Sequence, residues 1–279
     1  MKKYILLSLS VIILIAVGLY LSRYSDEAEN NKVFRIGVEC DYAPNNWEEN
    51  RPSEFNFPIA NHKGYYAEGY DLQIAKRIAD EMNATLEVRK IEWEYLIPAL
   101  KKGEIDAIFS GMLDTEERKH QISFSDTYEV KETEYAVVVN TSTPYVSADS
   151  LTDFSGAKFI GQKNTKLYAS ISQIPGAVAL PAVDTVSEMI GAITGGRADG
   201  IVINLDTGRS YEAAYKNLKV IRFPEGEGFH VGFNGICAGV RKNDTELLRR
   251  INKILKGLSH NERQKIMDMV VSRLWKSLS

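Results

Sequence analysis

Along the 279-residue chain, short apolar runs alternate with segments whose apolar positions recur at helical spacing. The runs predict strands, and the segments predict helices. A mostly apolar run over residues 33–38 predicts a short strand. From Tyr70 onward the apolar positions recur at helical spacing, and they place Leu72, Ile78 and Met82 on one face. Continuous apolar strands that alternate with amphipathic helices indicate parallel or mixed β-sheets covered by helices.

The segment 45–68 interrupts this alternation. It contains Pro52, Pro58 and many polar residues, which predicts a long loop or a small hairpin. It follows Tyr42 closely in the chain, so we expect it to lie near the mouth of any site that Tyr42 faces.

A weak internal repeat relates residues 97–110 to residues 190–203. Each stretch contains a helical pattern, a glycine that ends it, an aspartate three residues later, and an apolar strand. The two glycines, Gly103 and Gly196, are predicted to be helix C-caps. A phosphate-binding loop is the alternative for the second stretch, but such loops run from strand through glycine to helix, the opposite order. Two similar α/β units therefore predict two similar lobes.

The repeat also pairs positions after the two strands. Gly111 and Asn204 each lie five residues past the repeat's aspartate, Asp106 in the first unit and Asp199 in the second. Because ligands of such folds gather at the carboxyl ends of strands, we expect these two positions to face each other.

Composition limits the classes of function. With 44% hydrophobic residues, 25% charged residues and a net charge of −3, the chain has an ordinary globular composition and enough length for about two domains. The near-neutral charge balance and the absence of a long Lys/Arg run leave no positively charged patch that would attract nucleic acid.

The four histidines are scattered, without the spacing of a metal site. Cys40 and Cys237 leave two alternatives open, a disulfide or two buried thiols.

An apolar segment of eighteen residues, Tyr4 to Leu21, follows Lys2 and Lys3. As a helix it would span about 27 Å, near the lower limit for crossing a bilayer. Small residues suited to signal cleavage are poorly placed after it, so we favour an uncleaved anchor over a cleaved signal peptide. The preceding lysines and the acidic spacer at 25–32 predict that the N-terminus lies inside the cell.

The stretch 105–128 runs from an apolar strand into Ser110 and Gly111, and it continues to Thr115 and Arg118. Small residues at a strand end leave backbone N–H groups free to face a ligand, and the arginine can reach back with its planar guanidinium toward a carboxylate. The pattern therefore predicts an anion pocket. The alternative is that Arg118 is a solvated residue on a charged helical turn.

Several motifs here resemble the extracellular solute-binding proteins of family 3, the amino-acid receptors of ABC importers. The resemblance covers roughly residues 33–256. Its motifs, in the family's order, are RIGVECDYAP at 35–44, GYDLQIA at 69–75, WEYLIPAL at 93–100, SGM at 110–112, T-x-x-R at 115–118, FSDTY at 124–128, DFSGAK at 153–158, GQKNT at 161–165 and GICAGVRK at 235–242.

The resemblance implies an α/β fold of the two-lobed, type II periplasmic-binding-protein kind. Each lobe would be a mixed β-sheet flanked by helices, and two crossing strands would form a hinge. After a membrane anchor or signal segment at 1–24 and a spacer at 25–32, lobe 1 would comprise 33–137 and 234–279. Lobe 2 would comprise 138–233, and the helices of 247–275 would close lobe 1.

The resemblance also implies the binding site. Arg118 would clamp the α-carboxylate of the ligand, and the rings of Tyr42 and Trp93 would enclose its side chain, with apolar contact and cation–π attraction. Gln162 and Thr165 would supply donors from the second lobe. The complete predicted ligand-binding set is Glu39, Tyr42, Trp93, Ser110, Gly111, Leu113, Arg118, Gln162, Thr165 and Asn204. Lys163 and Lys166 are expected to be surface residues.

Two positions depart from the family's pattern. The family usually has a threonine or serine at the position of Leu113, where its hydroxyl joins the carboxylate cage. It usually has an acidic residue at the position of Asn204, where its charge binds the α-ammonium. Asp206 or Glu39 could compensate for the missing charge. We therefore predict a ligand that is held less through its zwitterionic head group than is usual.

The predicted function is an extracytoplasmic receptor that captures an amino acid or a similar compound and delivers it to an ABC permease with its ATPase. The chain itself has no nucleotide-binding motif, and we expect a monomer without cofactor or metal. The alternatives are a membrane-tethered sensing module and a cyclohexadienyl-type dehydratase, for which Glu39 would be the candidate general acid.

Overall fold

The computed structural model describes residues 32–128, 134–232 and 235–278. The strands in these ranges are β1 (Val33–Val38), β2 (Asp41–Tyr42), β3 (Asn46–Glu49), β4 (Phe57–Pro58), β5 (Tyr66–Glu68), β6 (Thr85–Lys90), β7 (Ala107–Ile108), β8 (Ser123–Thr127), β9 (Tyr135–Asn140), β10 (Lys158–Phe159), β11 (Val178–Ala179), β12 (Gly200–Asn204), β13 (Leu218–Ile221) and β14 (Cys237–Val240). The α-helices are α1 (Tyr70–Glu81), α2 (Leu96–Lys102), α3 (Glu116–Lys119), α4 (Lys166–Ala169), α5 (Val186–Thr194), α6 (Leu205–Ala214), α7 (Thr245–Gly257) and α8 (His260–Leu278).

The predicted membrane segment at 1–24 lies outside the described residues, as does nearly all of the spacer. Among the helices that the structure does describe, none combines the length and the apolar character needed to cross a bilayer.

Two five-stranded mixed sheets form the centres of the two lobes. The strand order is β6-β1-β7-β14-β8 in the first lobe and β11-β10-β12-β9-β13 in the second. In each sheet the first three strands are parallel, and one antiparallel strand, β14 or β9, is inserted beside the third. The two-lobed α/β fold predicted from the sequence is confirmed, and the sheets share one topology.

The internal repeat is visible in hydrogen bonds. An Asp106 carboxylate oxygen accepts from the backbone N–H of Arg35 at 3.0 Å, and an Asp199 carboxylate oxygen accepts from that of Lys158 at 2.7 Å. Asp106 thereby ties the start of β7 to the neighbouring β1, and Asp199 ties the start of β12 to the neighbouring β10. Gly103, at the end of α2, has φ of 78°, which allows the chain to turn from the helix into this strand.

The segment predicted to be a loop or small hairpin is instead a small sheet. Four antiparallel strands lie in the order β2-β3-β5-β4. The prediction missed them because each has only two to four residues, too short for an alternating pattern to emerge among prolines. This sheet places Asp41 and Tyr42 at the boundary between the lobes.

Each lobe has its own apolar core. In the first, one cluster of buried side chains includes Ile36 of β1, Leu72 of α1, Ile251 of α7 and Val270 of α8, and a second cluster includes Leu100 of α2. The predicted closing helices thus complete the first lobe, to which β14 also returns. The second lobe has two clusters, one on each face of its sheet.

The chain crosses between the lobes twice. All six residues of β9 belong to the second sheet, so the predicted boundary between 137 and 138 falls inside a strand, and the first crossing precedes Tyr135. Residues 129–133 and 233–234, next to the two crossings, lie outside the described residues. The hinge role of the crossing strands stays a prediction.

Candidate functional site

A cavity that is partly open to solvent lies between the two lobes. Its lining contains all ten residues of the predicted ligand-binding set together with Tyr135, Lys166 and Leu167. The structure therefore brings the predicted residues to one place, although their individual roles in binding stay predictions.

The topology explains this convergence. Glu39 follows β1, Ser110 follows β7, and Asn204 ends β12, so all three lie at carboxyl ends of parallel strands. Tyr135 begins the antiparallel strand β9, and it pairs directly with Asn204. The carboxyl ends of the two sheets thus face each other across the cavity, which is where α/β folds place their ligands.

Gly111 lets the chain pass close to Tyr42. Its φ is 60°, and a Cβ added at this position would lie 3.1 Å from the Tyr42 ring. A side chain here would be strained and would press on the ring. The glycine therefore keeps backbone, instead of a side chain, at this edge of the cavity.

Asp71 is buried outside the described lining and bonds to the backbone of Gly111, which belongs to that lining. Its carboxylate accepts hydrogen bonds from the Tyr128 hydroxyl at 2.6 Å, from the Asn46 amide at 2.8 Å and from the backbone of Gly111. Burial raises the pKa of Asp71 to about 6, and these hydrogen bonds oppose the rise. Asp71 therefore joins the cavity wall to the end of β8, from which the chain continues to the first crossing.

Arg118 is held rigidly at the cavity. Thr115 begins the short helix α3 by accepting the Arg118 backbone N–H in its side chain at 3.2 Å. The guanidinium donates to the carbonyl oxygen of Leu113 at 2.9 Å and to that of Asn164, in the second lobe, at 2.9 Å. It also lies 4.9 Å from the centroid of the Trp93 ring. Arg118 is thus a pocket residue and not a solvated surface residue.

The electrostatic environment of Arg118 is unusual for an arginine. Only 9% of the residue is exposed, and burial lowers the pKa of its guanidinium to about 10, while Glu117 and Tyr135 act in the opposite direction. None of the ion pairs found among the described residues includes Arg118. A buried cation whose described hydrogen bonds go to neutral carbonyls favours an anion as its further partner.

Glu39 and Gln162 join the lobes inside the cavity. The Gln162 amide donates to the Glu39 carboxylate at 2.5 Å and to the carbonyl oxygen of Asp184 at 3.0 Å. Burial raises the pKa of Glu39 to about 8. The nearby Asp41 charge adds to this rise, and the hydrogen bond from Gln162 opposes it. Among the described residues of the lining, Glu39 is thus the carboxyl group, whereas Asp206, the other proposed compensation at Asn204, is not among them.

A second set of bonds between the lobes lies beside the cavity. The Asp41 carboxylate accepts from the Ser187 backbone N–H at 2.9 Å and from its hydroxyl at 2.7 Å. The Tyr211 hydroxyl donates to the Asp41 carbonyl oxygen at 3.3 Å. Tyr42, although it belongs to the first lobe, packs into a core cluster of the second. The lobes are therefore in direct contact.

Two second-lobe residues of the predicted binding set, Thr165 and Asn204, differ in how far the protein already engages their side chains. The Thr165 hydroxyl donates to the carbonyl oxygen of Gln162 at 2.8 Å and accepts from the backbone N–H of Tyr168 at 3.1 Å. Asn204 is the N-cap residue of α6, but its side chain makes no capping hydrogen bond. The amide of Asn204 lines the cavity as a neutral group.

The sequence missed three lining residues. Tyr135 and Leu167 gave no signal, because each lies in an apolar pattern typical of a core. Lys166 and Lys163 were expected on the surface; both are partly exposed, and Lys166 also lines the cavity. Lys163 lies outside the lining and pairs with Asp184 at 2.5 Å. Their different surroundings could not be read from two lysines three residues apart.

The described residues contain no candidate metal site and no disulfide. No group of three or more potential metal ligands is found there. Cys40 and Cys237 are both buried and are not joined in a disulfide. Of the two alternatives for the cysteines, the structure has the free thiols.

The buried Glu39 predicts a dependence of stability on pH. Its pKa in the folded protein, about 8, lies above the ordinary value of 4.5, so its contribution is fully present at low pH and is lost as the pH rises from 4.5 through 8. Asp71, raised to about 6, loses its contribution at lower pH. Between pH 6 and 8.5 the free energy of unfolding should therefore fall with pH, and Glu39→Gln should flatten this fall.

Urea unfolding of the ligand-free protein at several pH values measures this effect. The matched control is Glu54→Gln, which removes an exposed glutamate outside the cavity. The prediction is contradicted if wild type and Glu39→Gln lose stability with the same slope.

Comparisons with known proteins identify a family model and several proteins that are similar to this chain. The model of the bacterial extracellular solute-binding proteins, family 3, matches residues 34–269. The arginine-binding extracellular protein ArtP of Bacillus subtilis is 26% identical over 268 residues, which covers 94% of each chain. The L-arginine-binding protein of Pseudomonas aeruginosa is 28% identical over 240 residues, covering 84% of this chain and 86% of the relative.

Solved structures agree with these matches. The arginine-bound form of a truncated arginine-binding protein from T. maritima superposes with a TM-score of 0.66 and 27% identity, covering 84% of this chain and all of that one. The substrate-binding protein of an amino acid ABC transporter gives a TM-score of 0.70 and 26% identity, over 85% of this chain and 98% of that one.

Proposed function

Because this chain belongs to the bacterial extracellular solute-binding proteins of family 3, we propose that its cavity captures an amino acid or amino-acid-like compound and releases it to an ABC transporter permease. The relatives named above are binding proteins, and we place this chain with them as a receptor. The dehydratase and the membrane-tethered sensor are not favoured by these relatives.

The main support for this proposal is the burial and hydrogen bonding of Arg118. Its guanidinium is buried at the cavity and bonded to two neutral carbonyl oxygens. The carboxylate of a ligand would complete its coordination with charge-assisted hydrogen bonds, which planar guanidinium geometry favours. We therefore assign the carboxylate end of the ligand to Arg118.

The contacts between the lobes explain how capture would proceed. Arg118 of the first lobe already reaches the carbonyl of Asn164 in the second. Gln162 and Ser187 of the second lobe donate to Glu39 and Asp41 of the first. A ligand between the lobes adds to this set only when the lobes are closed, so binding shifts the population toward the closed form.

A ligand screen combined with Asn204→Asp tests the proposal. The full-length chain in mild detergent is screened by thermal shift against the twenty amino acids and their N-acyl and deaminated analogues. If the ligand's ammonium lies at Asn204, the added charge should strengthen binding by about 1–3 kcal/mol. If the ligand has no ammonium there, Asn204→Asp should weaken binding by a similar amount.

The same screen can contradict the proposal. A protein that responds to no amino acid or analogue would exclude the receptor function. A response to glycine or alanine that Trp93→Ala leaves unchanged would exclude the proposed enclosure of a side chain by the rings of Tyr42 and Trp93.

The family places the protein outside the cytoplasm. We infer that the apolar segment from Tyr4 to Leu21 remains as an anchor, since small residues suited to cleavage are poorly placed after it. In its host the protein should then run at its full 31.3 kDa and stay with membranes after a high-salt wash. A mature form in the soluble fraction, beginning between about residues 22 and 31, would show that the segment is a cleaved signal peptide.

A further inference from the structure

We propose that Asp41 of the first lobe is a positioning residue for closure. Its carboxylate bonds to the beginning of helix α5 in the second lobe, keeps part of the ligand-free receptor closed, and slows the release of a bound compound. This inference rests on the proposed function, in which the lobes close around a ligand. It assigns the control of that motion to a contact outside the cavity lining.

One carboxylate makes two hydrogen bonds across the boundary between the lobes. Asp41 belongs to β2 of the small sheet, and Ser187 is the second residue of α5. The two oxygen atoms of the Asp41 side chain accept from the Ser187 backbone N–H at 2.9 Å and from the Ser187 hydroxyl at 2.7 Å. Hydrogen bonds to a charged acceptor are stronger than those between neutral groups. The pair therefore stabilises the lobes in contact.

The start of α5 explains why a carboxylate binds here. The N–H groups in the first turn of a helix have no partner within the helix, and a negative charge beside them is stabilised. Within the second lobe, the Thr185 hydroxyl accepts from the Glu188 N–H at 3.2 Å, and the Glu188 carboxylate accepts from the Thr185 N–H at 3.1 Å. The Ser187 N–H is bonded from the other lobe. Closure thus adds a charged acceptor to the first turn of α5.

The residues around Asp41 belong to the same contact. The Tyr211 hydroxyl of α6 donates to the Asp41 carbonyl oxygen at 3.3 Å. Tyr42, the next residue of β2, belongs to one cluster of buried side chains with Val186 and Ile190 of α5. Pairing of β2 with β3 holds both residues of β2 in the small sheet. A two-residue strand of the first lobe therefore binds the second lobe through its backbone, its carboxylate and its ring.

The hydrogen bonds of Asp41 lie beside the cavity. None of Asp41, Ser187 and Tyr211 belongs to the described lining. By contrast, the hydrogen bond between Glu39 and Gln162 joins two residues of that lining, so a ligand can replace it. The bonds of Asp41 connect protein groups only. They should therefore stabilise the closed form both with and without a ligand.

This independence from the ligand determines the kinetic effect. A bound compound leaves only after the lobes separate, and their separation breaks the bonds of Asp41. Loss of these bonds should speed release by a similar factor for every ligand, whereas loss of a lining residue would affect ligands unequally. Association should not become slower, because a larger share of the free protein would already be open.

The first measurement needs no ligand. Spin labels are attached at Glu92→Cys and Gly191→Cys in the full-length chain in mild detergent, and pulsed electron paramagnetic resonance gives the distances between them. Glu92 is exposed just beyond the carboxyl end of β6, in the first lobe. Gly191 is exposed one turn after Ser187 in α5, and an added Cβ there meets nothing within 4 Å. Opening of the lobes should lengthen the distance. Cys40 and Cys237 are buried, which directs the labels to the added cysteines.

We expect the ligand-free protein to show a shorter distance from closed molecules and a longer one from open molecules. Asp41→Ala should lower the ratio of closed to open molecules about tenfold, because charge-assisted hydrogen bonds are lost. Ser187→Ala keeps the backbone N–H and should lower the ratio about threefold. The double variant should match Asp41→Ala alone, since both changes act through one contact.

Asp80→Ala is the control, because it removes an exposed aspartate of α1 that pairs with Lys76. It should leave the distances unchanged. The inference is overturned if the ligand-free protein lacks the shorter distance, if Asp41→Ala leaves the ratio unchanged, or if the effects of Asp41→Ala and Ser187→Ala simply add.

The second measurement adds ligand. A mixture of the twenty L-amino acids should shorten the distance in the protein with Asp41 and in Asp41→Ala. Stopped-flow fluorescence then follows the release of each amino acid or analogue that binds in the thermal-shift screen. Release from Asp41→Ala should be about tenfold faster, by a similar factor for each compound, and association should not be slower.

The outcomes separate this inference from the proposed function. If amino acids bind but leave Asp41→Ala at the unchanged rate, or by factors that differ widely between compounds, this inference is wrong and the proposed function stands. If Asp41→Ala changes the ligand-free ratio as expected but no amino acid or analogue binds, the proposed function is wrong and the control of closure by Asp41 stands.

Discussion

Replacing Arg118 by alanine is expected to abolish ligand binding and to leave the fold intact. The guanidinium is the buried cation of the first lobe at the cavity, and the loss of one partner of a buried charge pair costs about 2 to 5 kcal/mol in binding. A loss of this size weakens binding by a factor of about 30 to several thousand. Titration calorimetry with the tightest ligand from the thermal-shift screen measures it.

The fold should tolerate this change because, among the described residues, the Arg118 side chain hydrogen-bonds to the carbonyl oxygens of Leu113 and Asn164 and otherwise lies over the Trp93 ring at the cavity. Arg249→Ala is the matched control, since it removes an exposed arginine of α7 that pairs with Glu246 far from the cavity lining. If Arg118→Ala keeps both its affinity and its melting temperature, Arg118 does not bind the ligand.

Replacing Gly69 by alanine is expected to have the largest effect on stability. The backbone of Gly69 has φ of 136° and ψ of 174°, a region populated essentially by glycine alone. A Cβ here would lie 2.2 Å from the carbonyl oxygen of Asn45 and 2.6 Å from the Cα of Asn46. Since both obstacles are backbone atoms, the chain itself must move, and we expect a loss of about 3 kcal/mol or more in the free energy of unfolding.

The expected consequence extends to the cavity. Asn46 donates to Asp71 and accepts the backbone N–H of Cys40, next to Glu39. A shift of this strand should therefore weaken ligand binding as well as lower the stability.

Gly103→Ala is the control for the loss of a glycine at positive φ. Its φ is 78°, and a Cβ there meets nothing within 4 Å, so only the backbone strain of about 1 kcal/mol should appear. Urea unfolding curves of both variants measure the difference. Equal losses in the two variants would show that the contact with Asn45 is relieved at little cost.

Much of the fold follows from local pattern. The strand predicted over residues 33–38 is β1 itself, and the helix predicted from Tyr70 is α1. The repeat around Asp106 and Asp199 predicted two similar lobes, because the same order of helix, glycine and strand folds in the same way in each. Apolar spacing determines which face of an element is buried, and this information is present in the sequence.

The small sheet at 41–68 could not be predicted in this way. Its strands are two to four residues long and lie among prolines and polar residues, so their pairing depends on contacts between segments and not on local pattern. The position of Asp41 opposite Ser187, 146 residues away, likewise becomes visible only in the tertiary structure.

By itself, the sequence determined the two-lobed α/β plan and the family resemblance, because motif spacing and strand ends are local properties. The resemblance in turn implied ten of the residues that line the cavity. Only the tertiary structure decided that Lys166 belongs to that cavity while Lys163 does not. It also decided that burial leaves Glu39 mostly protonated and Arg118 without a carboxylate partner among the described residues. The physical reason is that burial and net charge at a point in space depend on side chains from distant parts of the chain.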